Sequence, residues 1–84
     1  MTVQKKIKIK ISSVDEAKEF VSKAVACDFD INVFYNRVII DAKSMLGVLS
    51  LDLTKVLTVE YDGENKEFEE FLEKTAAVGR DAVA

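Results

Sequence analysis

The sequence has 84 residues, of which 49% are hydrophobic and 32% charged, with a net charge of −3. This composition is typical of one small globular domain, residues 1–84, with little room for a large catalytic cleft. The mild acidity argues against direct nucleic-acid binding, which needs a basic surface. Because the sequence has one cysteine, no secretory leader and no apolar run of membrane-spanning length, we expect a cytoplasmic protein that does not cross a membrane.

The first predicted element is a half-buried strand over residues 3–11, where apolar and charged side chains alternate. Its buried face would hold Val3, Ile7, Ile9 and Ile11. Its solvated face would hold Lys6, Lys8 and Lys10. No aromatic residue is interleaved with these lysines, so we favour a solvated or lysine-guarded strand over a nucleic-acid patch.

A helix is predicted to follow Ser13, which begins a capping-box pattern with Glu16. In that pattern the serine oxygen accepts from the amide three residues later, and the glutamate reaches back to the cap residue. The apolar stripe behind the cap comprises Ala17, Phe20, Val21, Ala24 and Val25. Cys27 follows, and we interpret it as a buried small hydrophobe because the sequence has no histidine to activate it.

Two short strands, residues 31–35 and 38–41, are separated by Asn36-Arg37, a spacing that suits a tight hairpin. Ser44 then caps a short, very apolar helix. Residues 56–61 alternate again and predict a fourth strand, with Leu57, Val59 and Tyr61 on one face.

The last helix is predicted to begin near Asn65 and to end at Gly79, before a frayed tail over residues 80–84. Its core stripe would be Phe68, Phe71, Leu72, Thr75 and Ala76. Its acidic residues are expected only to solvate its outer side; they are Glu67, Glu69, Glu70 and Glu73.

The element order is therefore βαββαβα. A right-handed crossover through the first helix leaves a gap between strands one and two, which strand four can fill antiparallel to both. We predict an α+β fold with a four-stranded antiparallel sheet and three helices on one face.

The segment 43–51, Lys-Ser-Met-Leu-Gly-Val-Leu-Ser-Leu, resembles the regulatory serine segment of the HPr family, the small phosphocarriers of the bacterial phosphotransferase system. The resemblance implies an HPr-like open-faced β-sandwich, the same fold that the element order predicts. It also implies that Ser13 stands at the position of the family's phosphorylated histidine, with Asp15 and Glu16 in place of its arginine and proline. All three differences oppose phosphohistidine carrier activity.

The second site of the family keeps its pattern. The resemblance implies that Ser44 is a target for an HPr kinase/phosphorylase, as in the histidine-lacking catabolite-repression HPr-like proteins. A regulator of the catabolite control type is then the implied partner. Helix geometry alone leaves either side of the short helix as core, whereas the resemblance implies that Val48, Leu51 and Leu53 point inward. The implied docking surface comprises Lys43, Met45, Leu46 and Leu49.

Other interpretations remain open. Ser44 can simply cap the helix, all the apolar residues of the short helix can be buried, and the chain can be a degenerate module that is never phosphorylated. No phosphate loop, metal-ligand spacing or nucleophile and base pair is present, so we expect no enzyme activity, no metal and no cofactor.

Overall fold

The computed structural model describes residues 5–76, and its elements follow the predicted order. They are β1 (Lys5–Ile9), α1 (Val14–Val25), β2 (Ile31–Tyr35), β3 (Val38–Asp41), α2 (Met45–Leu49), β4 (Leu57–Tyr61) and α3 (Lys66–Thr75). The α+β class is confirmed. Val3, Gly79 and residues 80–84 lie outside the described residues.

The four strands form one antiparallel sheet in the order β1-β4-β2-β3, which confirms that β4 fills the gap between β1 and β2. Val59 lies at the centre of this arrangement, opposite Ile7 on one side and Val33 on the other. The hairpin of β2 and β3 closes through Asn36, whose φ of 54° is tolerated because asparagine adopts left-handed backbone more readily than most residues. β3 is left at one edge of the sheet.

The core lies between one face of the sheet and the helices. The predicted inward residues of β4 are at most 1% exposed: Leu57, Val59 and Tyr61. Phe20 of α1 packs against α3, with its ring centroid 6.0 Å from those of Phe68 and Phe71. Removing these apolar side chains from water is the main stabilising term of the fold.

The cap of α1 forms largely as predicted, and α3, predicted to begin near Asn65, is capped by that residue. The Ser13 Oγ accepts from the Glu16 amide at 3.1 Å, and the Asn65 Oδ1 accepts from the Phe68 amide at 3.0 Å. The reciprocal bond of the capping box differs, because the Glu16 carboxylate accepts from Ser12 instead of Ser13. Ser12 gives this carboxylate two donors, its amide at 2.8 Å and its hydroxyl at 3.0 Å.

Val25 and Ala76 do not lie on the buried helical stripes on which they were predicted. Val25 is 58% exposed, since at about 100° per residue it lies roughly 90° from the centre of the buried stripe of α1. α3 ends at Thr75, before Gly79, because Ala76 takes an extended backbone conformation and forms a bridge with Ile9 beside β1.

Glu69 was predicted only to solvate α3, and that prediction is wrong. Its Oε2 accepts from the Lys5 Nζ at 2.9 Å and from the Tyr61 hydroxyl at 2.7 Å, so it joins α3 to β1 and β4. The hydrogen bond from Lys5, followed by that from Tyr61, lowers the pKa of Glu69. Burial, followed by the neighbouring Glu69, raises the pKa of Tyr61.

The lowered pKa of Glu69 predicts a pH-dependent contribution to stability. A carboxyl group whose pKa is lower in the folded state stabilises the fold fully above its unfolded pKa of about 4.3, and this contribution is lost as the pH falls through the folded value. We expect Glu69→Gln to reduce the free energy of unfolding at pH 7 and the difference from wild type to shrink in acid. Urea unfolding of wild type and Glu69→Gln, from acid to neutral pH, measures this difference. The control is Glu70→Gln, at the neighbouring exposed residue. Equal pH profiles for the two variants would contradict the prediction.

Candidate functional site

The start of α2 is fixed by a network of short hydrogen bonds around Ser44. The Ser44 amide donates to the Asp41 carbonyl at 2.9 Å, and the Lys43 amide donates to the Asp41 Oδ1 at 2.9 Å. The exposed Ser44 side chain is the N-cap, since its Oγ accepts from the Gly47 amide at 3.2 Å. Serine suits this place because its oxygen satisfies an amide that has no partner within the helix.

Close packing of α2 on β3 depends on Gly47. A Cβ atom at this residue would lie 2.7 Å from the Cγ2 of Ile40, too near for any side chain without movement. The missing side chain therefore lets the short helix lie directly on the edge strand. This contact holds the hydroxyl of Ser44 at the edge of the sheet.

The apolar residues of α2 divide between core and solvent. Val48 is fully buried, whereas Met45 is 38% and Leu46 84% exposed. Leu49 was expected on the exposed side, but it is partly buried and packs against the core because α2 contacts both α1 and β3. We call the exposed pair, Met45 and Leu46, the α2 patch.

Lys43 has a contact that the sequence did not predict. Its Nζ donates to the Cys27 carbonyl at 3.0 Å, just beyond the end of α1, where a positive charge is favoured by the helix dipole. The side chain thus ties the start of α2 to the end of α1. This bond uses one of the three donors of the ammonium group, and Lys43 is partly exposed.

Ser13 lies at the exposed start of α1, where its hydroxyl accepts the capping bond from Glu16. Asp15 and Glu16 place two carboxylates in the first turn of the helix. An open groove of about 380 Å³ adjoins the serine and is lined by Lys10, Ile11, Ser12, Ser13, Val14, Leu53 and Thr54. These side chains include no histidine, the residue that carries the phosphoryl group in the family that the sequence resembles.

Cys27 is buried, as predicted, with 5% of its surface exposed and its Sγ 3.4 Å from the Lys23 carbonyl. Burial raises the pKa of this thiol, which disfavours the reactive thiolate form. Within residues 5–76, no cluster of acidic, cysteine or histidine side chains could hold a metal ion. In the same range, no helix has the length and apolar character needed to cross a membrane.

Exposed apolar residues of β3 were not recognised from the sequence. Val38 is 45% and Ile39 60% exposed. The run Val38-Ile39-Ile40 could have indicated an exposed apolar residue, because adjacent residues of a strand point to opposite faces of the sheet. One of them therefore had to point away from the core.

These features define a class of protein: a small α+β open-faced sandwich with a serine-capped short helix on its edge strand. The phosphocarrier protein HPr of Bacillus anthracis str. Ames has a similar structure, with a TM-score of 0.63 and 27% identity over 89% of this chain and 93% of that one. The HPr-C-His protein of Thermoanaerobacter tengcongensis is also similar, with a TM-score of 0.68 and 24% identity over 83% and 88% of the two chains. Neither family models nor curated proteins gave a match.

The chain therefore has the HPr-like fold, as its resemblance implied, and this fold supports a relationship to the phosphocarrier family.

The different burial of the two leucines in α2 predicts different effects of the same substitution. Leu46→Asp should change the free energy of unfolding by less than about 0.5 kcal/mol, as for most surface changes. Leu49→Asp should cost about 2 kcal/mol or more, because it places a carboxylate against the core. Urea unfolding of both variants measures this difference. Equal destabilisation would show that the α2 patch is not a free surface.

Proposed function

We propose that this chain is a regulatory HPr-like protein without phosphohistidine carrier activity, which is phosphorylated on Ser44 and binds partner proteins through the α2 patch. The observation that carries the proposal is the position of an exposed serine hydroxyl next to Leu46, which is 84% exposed. A kinase can reach such a hydroxyl, and a partner can cover the apolar side chains beside it.

A phosphate at Ser44 would change this surface strongly. It would bring a charge of about −1.5 to −2 and three acceptor oxygens to the start of α2, where amides without partners inside the helix favour an anion. An arginine of a partner could pair with these oxygens while its apolar residues contact Met45 and Leu46. Methionine suits this role because its flexible side chain adapts to different surfaces.

Carrier activity is disfavoured by the residues at the other site. The 84 residues contain no histidine, and Ser13 stands where the resemblance places the one that is phosphorylated. A phosphoserine ester is too stable to pass its phosphate on, and Asp15 would repel an incoming phosphoryl group where an arginine would attract it.

The proposed partners are an HPr kinase/phosphorylase and a transcriptional regulator of the catabolite control type, acting in the cytoplasm. Recognition would involve Ser44 and the α2 patch. Lys43 could contribute with the donors that its ammonium group does not use on the Cys27 carbonyl, and Leu49 would support the helix from the core side.

One observation favours an alternative function. The Ser44 Oγ already accepts from the Gly47 amide, which is sufficient reason for a serine at this place. In this alternative the chain is a degenerate HPr-like interaction module, never phosphorylated, that uses the α2 patch alone.

Intact-mass spectrometry after incubation with an HPr kinase/phosphorylase and ATP distinguishes the two functions. We expect one added phosphate on the wild type and none on Ser44→Ala, because this variant lacks the only hydroxyl proposed as a target. Ser50→Ala, which removes another exposed serine of the same segment, should still be modified. An unmodified wild type, with the kinase active on an ordinary HPr, would contradict phosphorylation and favour the alternative.

A further inference from the structure

We propose that β3 is a self-association edge, at which two copies of this chain pair antiparallel and join their sheets into one. This inference is independent of Ser44 phosphorylation. It rests on the backbone direction of β3, on its exposed apolar residues and on the charges at its two ends.

The two edges of the sheet differ sharply. The outer side of β1 is occupied in part by the end of α3 and the residue after it, where the Lys10 amide donates to the Thr75 carbonyl at 2.9 Å and Ala76 forms a bridge with Ile9. β1 also carries exposed lysines, which discourage pairing between edges. β3 has neither protection, since no strand within residues 5–76 pairs with its outer side and its sequence is Val-Ile-Ile-Asp.

The backbone of β3 determines which residues can pair at this edge. The Ala42 amide donates to the Ile31 carbonyl at 2.9 Å, so it points toward β2. Because amides alternate in direction along a strand, those of Asp41 and Ile39 point away from β2, toward the open edge. A second strand must therefore align with these two residues and not with Ile40.

A second copy of β3 fits this requirement with Ile39 opposite its own counterpart. The two isoleucines would exchange both of their backbone hydrogen bonds across a two-fold axis. Arg37, in the hairpin turn just before β3, would then lie near Asp41 of the other copy, which gives two pairs of opposite charge. The Asp41 Oδ1 already accepts from the Lys43 amide, and a carboxylate can accept further bonds with its other oxygen.

The apolar side chains support the same arrangement. Ile39 is 60% exposed and pairs with Phe34 on the face of the sheet that the helices leave open. Pairing of two copies would extend this row across the axis, so that each Ile39 is covered by Phe34 on one side and by the other Ile39. Val38, 45% exposed, would be covered by the second copy's Ile40 on the helical side. The row is short, so we expect a weak dimer.

Sedimentation velocity from micromolar to millimolar concentration tests the proposal on the whole chain. We expect wild type to associate reversibly and Ile39→Lys to weaken association at least about tenfold, because it removes the apolar contact and sets two like charges opposite each other. Val25→Lys, at the exposed end of α1, is the matched control and should associate like wild type.

The charged residues test the register. Arg37→Asp and Asp41→Arg should each weaken self-association about tenfold, since each sets like charges opposite each other twice. A mixture of the two variants should form a heterodimer, because both cross-strand pairs are then complementary. Lys8→Asp changes the net charge as Arg37→Asp does, at a strand away from this edge, and should have no effect.

Three outcomes would overturn the proposal. A monomer at every concentration would show that two copies do not pair, and would leave the edge to an extended segment of another protein. A dimer that persists in Ile39→Lys would place the interface elsewhere. A mixture of folded Arg37→Asp and Asp41→Arg that stays monomeric would exclude the register. Circular dichroism establishes whether each variant is folded. If Asp41→Arg does not fold, Ile39→Lys still tests the interface.

Discussion

The insertion of β4 between β1 and β2 is the constraint on which the rest of the structure depends. The crossover through α1 separates the first two strands by the width of one strand, and β4 supplies the missing hydrogen bonds. Val59, which is fully buried, lies opposite a residue of each neighbour. Since β1 pairs with no other strand of residues 5–76, the sheet is complete only when the chain has passed through α2. The same topology moves β3 to the edge.

Much of this fold follows from local patterns in the sequence. Alternation in β4 gave the correct inward residues because a strand with one buried face selects apolar side chains at every second position. The cap at Ser13 and the start of α3 near Asn65 were predictable because a helix start depends on a few neighbouring residues. Glu69 was misjudged because its partners, Lys5 and Tyr61, come from two strands distant in the sequence. The end of α3 was misplaced for a similar reason, since Ala76 bonds to β1 instead of continuing the helix.

The candidate site shows the same division between local and tertiary information. Position and spacing located Ser44 as a cap, and the resemblance drew attention to the residues after it. Whether each apolar residue of α2 is exposed depends on how a five-residue helix lies against both α1 and β3, which the sequence does not encode locally. Leu49 is packed and Leu46 is free for this reason. Lys43 reaches the end of α1 because the chain folds back after the hairpin, and periodicity carries no signal for that contact.

The β3 edge and α2 form the least covered part of the domain. A domain of this size has too few elements to shield both edges of its sheet, and here α3 packs against β1, the strand at the opposite edge. The β3 edge receives only α2, whose close approach requires Gly47 and whose first turn leaves Leu46 in water. The apolar residues of α2 and of β3 are therefore exposed for the same reason, because few elements cover this edge of the sheet. Because burying such surface is favourable, the corner that the fold leaves open is where binding can be gained without disturbing the core.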